Sequence, residues 1–305
     1  MRRLTRVLVT GASGQVGVDL VDVLGGVTPL GGDDTFQPDD RSVRSNEFDV
    51  VGLTRRELDV TDRDAVLRSL RNVRPDVIVH LAAYTAVDRA EGDVEACFAV
   101  NELGTASMSL GALDVGAHLI TISTDYVFDG MKGAPYVEFD EPHPLSVYGA
   151  SKREGELRCS SSDTIVRTSW VMGVRGKNVV HAIAERAMSG ENVRFVDDQM
   201  GTVTAASDLA RSLVTLIRER PSGVWHVANT GATTWFEIAA YVGSLLNRSE
   251  GFATPIATSE LSPAQLALRP ARSDLDTEKF AASWSALPPW RDALARLVTD
   301  RSRRE

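Results

Sequence analysis

The chain has 305 residues, of which 43% are hydrophobic and 25% are charged, a composition that indicates a folded globular protein. Its net charge of -9 disfavours a general nucleic-acid-binding surface, and no apolar run approaches the roughly 20 residues that span a bilayer. Two cysteines and five scattered histidines provide neither a disulfide framework nor metal-ligand spacing, so no protein-held metal is expected. Residues 1–6 lead directly into an apolar run without the features of a signal peptide, so we expect a cytoplasmic protein.

The first half of the chain alternates short apolar runs with stretches of helical periodicity. Strands are predicted at residues 4–10, 48–53, 76–81 and 118–123, and helices after segment 11–17, at 61–70, at 101–115 and ending at 151–158. Thr61 is the predicted N-cap of the second helix. Residues 31–46, which are rich in Gly, Asp, Pro and Ser, indicate an irregular loop. Strands separated by helices predict βαβ units and a parallel sheet with helices on both faces.

The second half continues this alternation and then departs from it. Strands are predicted at 164–171, 193–196 and 224–227, and helices at 179–189, 207–218 and 290–298. We therefore predict an α/β protein in which a doubly wound parallel Rossmann sheet carries a smaller, mostly α-helical substrate lobe. Residues 1–172 and 203–227 are assigned to the dinucleotide-binding domain, and residues 173–202 and 228–305 to the substrate-binding lobe.

A glycine-rich turn follows the first predicted strand. Gly11, Gly14 and Gly17 recur at three-residue intervals between that strand and the first helix. Glycines at such positions let a pyrophosphate approach the backbone N–H groups at the helix N-terminus, and the last one lets helix and strand pack closely. Because the strand–turn–helix context is the one that this motif requires, we expect a dinucleotide cofactor rather than a purely structural turn.

The residues after the second predicted strand bear on the choice of cofactor. An acidic residue there favours the ribose 2′-hydroxyl of NAD, and an arginine favours the 2′-phosphate of NADP. This chain has Arg55 and Arg56 with no acid before Glu57, which favours NADP(H). The alternative is that both arginines are ordinary solvated charges. Asp59 and Val60 would then lie near the adenine, with Asp59 as an acceptor for its amino group.

Three further residues form a candidate catalytic group. Thr124 follows the fourth predicted strand, and Tyr148 and Lys152 are four residues apart, so they share one face of a helix. The pKa of a free tyrosine, about 10, is too high for easy proton exchange, and we expect the neighbouring ammonium to lower it. Thr124 can hydrogen-bond the substrate oxygen on which negative charge grows as hydride arrives. Behind a dinucleotide turn this combination predicts a catalytic site, which the Tyr–Lys spacing alone does not.

Several longer segments resemble a known family. Residues 10–17, with a glutamine after the second glycine, and residues 82–91, 123–128 and 144–152 are similar to segments of the extended short-chain dehydrogenases. Within that group they resemble the dTDP-4-dehydrorhamnose reductases. Segments 167–170, 197–199, 233–235, 269–270 and 273–280 also recur in this family, so the resemblance covers essentially the whole chain.

This resemblance implies the reduction of the C4 ketone of dTDP-4-dehydro-6-deoxy-L-mannose to dTDP-L-rhamnose, with NADPH as cofactor and NADH as the alternative. Tyr148 would donate the proton, Lys152 would hold the cofactor ribose, and Thr124 would position the ketone. The expected cofactor-binding residues are Gly11, Gly14, Gln15, Val16, Gly17, Arg55, Asp59, Val60, Ala82, Ala83, Tyr84, Thr85, Tyr148 and Lys152. The expected substrate-binding residues are Thr85, Thr124, Asp125, Tyr126 and Trp170.

Other functions stay open at this point. A reductase or epimerase could act on another nucleotide 4-keto-6-deoxy sugar, and the regulatory subunit of methionine adenosyltransferase resembles these reductases without catalysis. Tyr126 stands where a dehydratase would carry a second acid, which favours reduction. Trp170 is either an apolar wall for the sugar or an ordinary core tryptophan. The expected partner is a small dTDP-sugar rather than nucleic acid or a membrane, and a homodimer is left open.

Overall fold

The computed structural model describes residues 3–32, 36–39, 41–43, 47–248, 251–261 and 265–302. Within these ranges the strands are β1 (Thr5–Thr10), β2 (Phe48–Leu53), β3 (Val77–His80), β4 (His118–Thr124), β5 (Thr164–Thr168), β6 (Val171–Met172), β7 (Val193–Val196), β8 (Met200–Thr202), β9 (Thr204–Ala205), β10 (Gly223–His226), β11 (Ala232–Thr234) and β12 (Ala253–Ile256). The helices are α1 (Gln15–Leu24), α2 (Arg63–Val73), α3 (Val87–Ala90), α4 (Val94–Phe98), α5 (Gly104–Val115), α6 (Val147–Leu157), α7 (Val179–Ser189), α8 (Ala206–Glu219), α9 (Trp235–Leu245), α10 (Glu278–Ser283) and α11 (Trp290–Ser302). A π-helical turn, Ala99–Leu103, leads into α5, and 3-10 turns span Asp125–Val127 and Thr258–Glu260.

A parallel sheet in the order β2-β1-β3-β4-β5-β10 forms the centre of the molecule. The helices α1 and α8 pack together on one face, and α2 and α5 on the other. Because both faces are covered, the central residues of β1 and β3 are fully buried and almost all β-branched or leucine. The chain leaves β1 toward β2 on one side, while β3 pairs on the other side, so the winding reverses at β1. The predicted doubly wound Rossmann sheet is confirmed.

A second apolar cluster lies beside the sheet. Helices α7, α9 and α11 contact one another around buried residues such as Ile183, Val242 and Leu294. Short two-stranded pairs accompany these helices: β12 with β7, β11 with β8, and β6 with β9. The helix α10 instead contributes Phe280 to the cluster around the sheet. The domain boundaries predicted from the sequence stay a prediction.

Local contacts move several predicted element boundaries. Asp62, and not Thr61, caps α2, because the Asp62 side chain accepts a hydrogen bond of 2.9 Å from the backbone N–H of Ala65. The strand predicted at 164–171 is interrupted after β5, where Trp170 adopts a left-handed backbone with φ of 41°. A continuous strand excludes that conformation, so the single long strand is wrong.

The predicted loop at 31–46 is described only in part. Residues 33–35, 40 and 44–46 lie outside the described residues, and those between them that are described form turns and coil. Asp39 of this segment accepts hydrogen bonds of 3.1 and 3.0 Å from Arg218 on α8. None of the described helices combines the length and the apolar character needed to cross a bilayer.

Candidate active site

The carboxyl ends of β1 and β3 are joined where the winding of the sheet reverses. The Thr10 hydroxyl is hydrogen-bonded to Nδ1 of His80 at 2.8 Å and accepts a hydrogen bond of 3.3 Å from the backbone N–H of Ala82. Gly11 has a φ of +65°, and a Cβ there would lie 2.8 Å from the Ala82 nitrogen. Only glycine fits this backbone and this spacing. In a doubly wound sheet the ligand crevice opens at this point.

The turn before α1 offers a cradle for an anion. Gly14 is the N-cap of α1 and provides no side-chain acceptor for the N–H groups of the first turn. A Cβ at Gly17 would lie 2.3 Å from the carbonyl oxygen of Gly11, so helix and turn pack too closely for any other residue. These N–H groups and the positive end of the helix dipole suit a pyrophosphate. The residues present therefore fit a dinucleotide cofactor.

Gln15 and Val16 each have partners within the protein. The Gln15 Oε1 accepts hydrogen bonds from the backbone N–H of Gly173 at 2.9 Å and from Asn178 Nδ2 at 3.1 Å. Val16 packs against the apolar cluster around the sheet. Gln15 thus ties the glycine turn to the segment between β6 and α7, and the predicted contacts of Gln15 and Val16 with a cofactor stay a prediction.

In the turn after β2 the acid is hydrogen-bonded and the two arginines are exposed, although the charge of Arg55 adds to the hydrogen bonds from Thr61 that lower the pKa of Asp59. The Glu57 carboxylate accepts hydrogen bonds of 2.8 Å from both the backbone N–H and the hydroxyl of Thr54, which lowers the pKa of Glu57. Arg55 and Arg56 are exposed and, within the described part of the chain, make no side-chain hydrogen bond or ion pair. The backbone N–H of Ala12 reaches the Leu53 carbonyl at 3.2 Å, so this turn lies beside the glycine turn.

Asp59 and Val60 lie further along the same edge. The Asp59 carboxylate accepts hydrogen bonds from the backbone N–H of Thr61 at 3.0 Å and from its hydroxyl at 2.8 Å. Asp59 remains exposed, whereas Val60 is buried against Gly104. Their predicted contacts with the adenine stay a prediction.

Asn101 holds the loop after β3 against α6, and sequence reasoning did not identify it as a site residue. Its Oδ1 accepts a hydrogen bond of 2.9 Å from the backbone N–H of Tyr84, and its Nδ2 donates to the Tyr84 carbonyl at 3.1 Å. The same Nδ2 donates to the Ser151 hydroxyl at 2.9 Å. The loop residues with a predicted ligand role are Ala82, Ala83, Tyr84 and Thr85, of which Thr85 is exposed. The sequence shows an asparagine at the start of the predicted helix 101–115, but its burial and its partners arise only in the fold.

The three candidate catalytic residues converge at the carboxyl end of β4. Thr124 ends β4, and its hydroxyl donates to Asp125 Oδ1 at 3.0 Å. Tyr148 lies in the first turn of α6, which Ser146 caps by accepting a hydrogen bond of 3.2 Å from Gly149. Hydrogen bonding by the Thr124 hydroxyl acts to lower the pKa of the Tyr148 phenol, which links the two side chains. Lys152 follows one helical turn later and is buried.

The expected effect of Lys152 on the phenol stays a prediction. Burial raises the pKa of Tyr148, and hydrogen bonding by the hydroxyl of Thr124 opposes this rise. Burial also lowers the pKa of Lys152 to about 8, against the attraction of Glu156. The phenol therefore stays protonated at neutral pH, as a proton donor must.

The predicted substrate residues around Thr124 are tied to a distant segment of the chain. Asp125 is buried, which raises its pKa to about 6, and its Oδ2 accepts a hydrogen bond of 2.6 Å from Ser273. Tyr126 meets the Tyr148 ring edge-on with centroids 6.0 Å apart. Arg269 hydrogen-bonds the Tyr126 phenol, which acts to lower its pKa although burial raises it overall.

Arg269 in turn is held by an acid on the short helix α3. Its Nη1 and Nη2 donate to the two carboxylate oxygens of Asp88 at 2.6 and 2.7 Å. Asp88 also accepts the backbone N–H groups of Leu266 and Ala267 at 2.9 and 3.1 Å. Neither spacing nor periodicity relates residues 181 positions apart, so this pair was visible only in the fold.

Trp170 borders the same side of the molecule. Its ring stacks on Trp235 with centroids 4.1 Å apart, and the side chain remains partly exposed. One face of the Trp170 ring is thus packed against Trp235. The predicted contact of the rest of the Trp170 side chain with a sugar stays a prediction. Within the described ranges, no three His, Cys, Asp or Glu side chains come together as a metal site.

A parallel sheet with a glycine turn at its reversal point, and a threonine, tyrosine and lysine at its carboxyl edge, defines an extended short-chain dehydrogenase/reductase. The model of the RmlD substrate binding domain family matches residues 40–303. A dTDP-4-dehydrorhamnose reductase of Streptomyces griseus is 38% identical over 95% of this chain and 91% of its own. One of Burkholderia thailandensis is 35% identical over 97% and 98%.

A solved structure shows the same relationship. The crystal structure of dTDP-4-dehydrorhamnose reductase from Bacillus anthracis in complex with NADP matches with a TM-score of 0.85 and 32% identity, over 98% of this chain and 100% of that one. The chain belongs to the family of the dTDP-4-dehydrorhamnose reductases. The membership predicted from its motifs is confirmed.

Proposed function

We propose that this protein reduces the C4 ketone of dTDP-4-dehydro-6-deoxy-L-mannose to dTDP-L-rhamnose. The observation that carries the proposal is the convergence of Thr124, Tyr148 and Lys152 at the carboxyl edge of the sheet, beside the glycine turn at Gly11. Relatives with the same length and fold are named as reductases of this substrate. The proposal includes a cytoplasmic location, and it leaves the choice between monomer and homodimer to a measurement of mass in solution.

NADPH is the proposed cofactor, with NADH as the weaker alternative. The first turn of α1 would hold the pyrophosphate on its uncapped N–H groups. Arg55 would pair with the 2′-phosphate, because its guanidinium is exposed and makes no side-chain hydrogen bond or ion pair with the described residues. The related structure from Bacillus anthracis contains NADP. When bound, the cofactor supplies the hydride.

Tyr148 is the proposed general acid. Its phenol is neutral at the pH of the cell, because even a free tyrosine has a pKa of about 10 and burial raises that of Tyr148 further, so it can donate a proton to the ketone oxygen as negative charge develops there. With its single proton the hydroxyl of Thr124 donates to one acceptor at a time, which is Asp125 Oδ1 in this structure and would be the substrate oxygen or the phenolate during the reaction. Lys152, which carries a positive charge below about pH 8, would hold the cofactor ribose and favour the loss of the proton from Tyr148.

The sugar nucleotide is proposed to lie between the loop after β3 and the segment that carries Arg269. Asp125 and Tyr126 are fixed by Ser273 and Arg269, so their positions beside Tyr148 do not depend on the ligand. Thr85 is exposed at the end of β3 and would meet the substrate from the cofactor side. Trp170, partly exposed and stacked on Trp235, would form an apolar wall.

The test is a turnover assay with the purified full chain. The proposed substrate, dTDP-4-dehydro-6-deoxy-L-mannose, is incubated with NADPH or NADH. Oxidation of the cofactor is followed by the loss of its absorbance, and the product is identified by chromatography and NMR. We expect dTDP-L-rhamnose with NADPH, and turnover lowered roughly 10²-fold or more by Tyr148→Phe with cofactor binding retained. A product that carries another hexose would indicate that the enzyme makes a different nucleotide sugar. Cofactor binding without any turnover would instead indicate a regulatory subunit.

A further inference from the structure

The face of α6 that carries Tyr148 and Lys152 continues to a third ionisable residue. Glu156 follows Lys152 by four residues, so the three side chains lie one above another on one helix face. Lys152 and Glu156 are each only 6% exposed. A buried acid in this position is not required by the proposed chemistry of Tyr148.

Lys152 and Glu156 share one internal gap between α6 and β4. Ser123 and Thr105 also line this gap, which is too narrow to admit a water molecule. An opposite charge across a gap without water is poorly screened, so its effect on a buried ammonium is larger than at the surface.

The other titratable groups that act on Lys152 are neutral at neutral pH. Burial raises the pKa of the Cys97 thiol on α4 and raises that of Cys159 to about 12. His80, at the end of β3, has its pKa lowered to about 3 by burial, with a smaller effect of Lys152 itself. Among the described residues, Glu156 is therefore the ionised acid that stabilises the charge on Lys152.

Glu156 is held in its ionised form by arginines on its far side. Arg167 of β5 donates from Nε and Nη2 to the two carboxylate oxygens at 2.9 and 2.8 Å, and Arg153 donates to Oε2 at 3.2 Å. Burial opposes ionisation, but the hydrogen bonds from Arg167 prevail and lower the pKa of Glu156. Both side chains of the Glu156–Arg167 pair are 2% exposed, so the carboxylate cannot turn away.

We propose that Glu156 is a positioning residue whose carboxylate, anchored by Arg167, keeps Lys152 protonated and directed along α6 toward Tyr148. This inference deepens the proposed function and rests on it, because the protonation of Lys152 matters for turnover only if Lys152 acts there. The ionisation of Lys152 itself can nevertheless be measured without any turnover.

The experiment is an NMR titration of the lysine side chains. The chain has only four lysines, Lys132, Lys152, Lys177 and Lys279, so the full-length protein labelled with ¹³C-lysine gives few side-chain signals, and Lys152→Met identifies the one from Lys152. In Glu156→Gln we expect the Lys152 titration midpoint to fall by about one pH unit or more, the scale for loss of a close opposite charge. The alkaline limb of the pH profile of kcat/KM should move by the same amount.

A second acid–arginine pair provides the matched control. Glu102 pairs with Arg158, the C-cap of α6, and their side chains are 14% and 51% exposed, so Glu102→Gln removes an equivalent charge from a pair that solvent reaches. We expect the Lys152 titration in this variant to match that of the wild type. An unchanged midpoint in folded Glu156→Gln overturns the inference.

Glu156→Gln leaves Arg167 without its counter-charge, so a second variant guards against misfolding. Glu156→Gln combined with Arg167→Gln removes both charges, and the midpoint of Lys152 should still fall, whereas a merely structural pair would leave it in place. The two proposals fail separately. A shifted titration with full turnover in Lys152→Met would refute the catalytic role of Lys152 and preserve the role of Glu156.

Discussion

The hydroxyl of Ser273 donates a hydrogen bond of 2.6 Å to Asp125 across 148 positions of the chain. The other carboxylate oxygen of Asp125 accepts the hydroxyl of Thr124 at 3.0 Å. Asp125 is buried, so each of these hydrogen bonds orients the carboxylate in a setting where water cannot replace it. The C-terminal part of the chain thereby helps to orient the threonine at the end of β4.

Removing the Ser273 hydroxyl should both destabilise the fold and disturb the site. Ser273→Ala leaves a buried carboxylate oxygen without its donor, and we expect a loss of about 1–2 kcal/mol in the free energy of unfolding, together with lower turnover. Denaturant titration and kcat provide the measurements. Ser283→Ala removes an exposed hydroxyl on α10 and should change stability by less than about 0.5 kcal/mol. Equal stability of the two variants would argue against the role of Ser273.

The activity should depend on the charge of Lys152. Its pKa is lowered to about 8 from the usual 10.5, so the ammonium is present below pH 8 and is lost as pH rises through that value. We expect kcat/KM, which reports the free enzyme, to decline above about pH 8 while far-UV circular dichroism stays unchanged.

The contribution of Lys152 to stability should change with pH in the opposite direction to the activity. It should become more favourable as the pH rises. Because its pKa is lower in the folded than in the unfolded state, the unfolded chain binds more protons between pH 8 and 10.5. The free energy of unfolding of the wild type relative to Lys152→Met should therefore increase with pH in this range. For the activity prediction of the preceding paragraph, a kcat/KM that stays level up to pH 10 would exclude the proposed role of the Lys152 ammonium in turnover.

Arg55 should determine the preference between the two cofactors. Arg55→Ala should weaken the binding of NADPH about tenfold or more and leave NADH nearly unchanged, because only NADPH carries the 2′-phosphate. Titration calorimetry or fluorescence with both cofactors measures the ratio. Arg68→Ala on the exposed face of α2 is the control for a general loss of positive charge. If Arg55→Ala weakens the binding of NADPH and of NADH equally, Arg55 does not contact the 2′-phosphate.

Gly11 should tolerate no side chain. Gly11→Ala combines a left-handed backbone, with φ of +65°, and a Cβ 2.8 Å from the Ala82 nitrogen, and we expect a loss of about 3 kcal/mol in stability, together with loss of cofactor binding. Gly26 also has a positive φ, of +78°, but open space around its Cβ position. Gly26→Ala should thus cost only about 1 kcal/mol of backbone strain and leave the cofactor site intact. Similar losses in both variants would show that the close approach of Gly11 to the loop after β3 is unimportant.

Much of the fold was predictable because it depends on local patterns. The strands at 48–53 and 193–196 and the helix at 179–189 have the predicted bounds to the residue. In these segments apolar periodicity and the residues that begin or end an element agree with the final packing. The break at Trp170 was not predictable, because stacking on Trp235 and close contact with Gly201 hold its backbone.

The amino-acid sequence by itself determined the glycine turn, the four-residue spacing of Tyr148 and Lys152, and the family, since each is written in neighbouring residues. Only the tertiary structure decided which groups set the pKa of Tyr148, that Asn101 holds the loop after β3, and that Asp88 anchors Arg269. The physical reason is that burial and contacts between distant segments arise when the chain closes on itself. At Tyr148 burial raises the pKa of the phenol, and no local pattern reports how deeply a side chain will be buried.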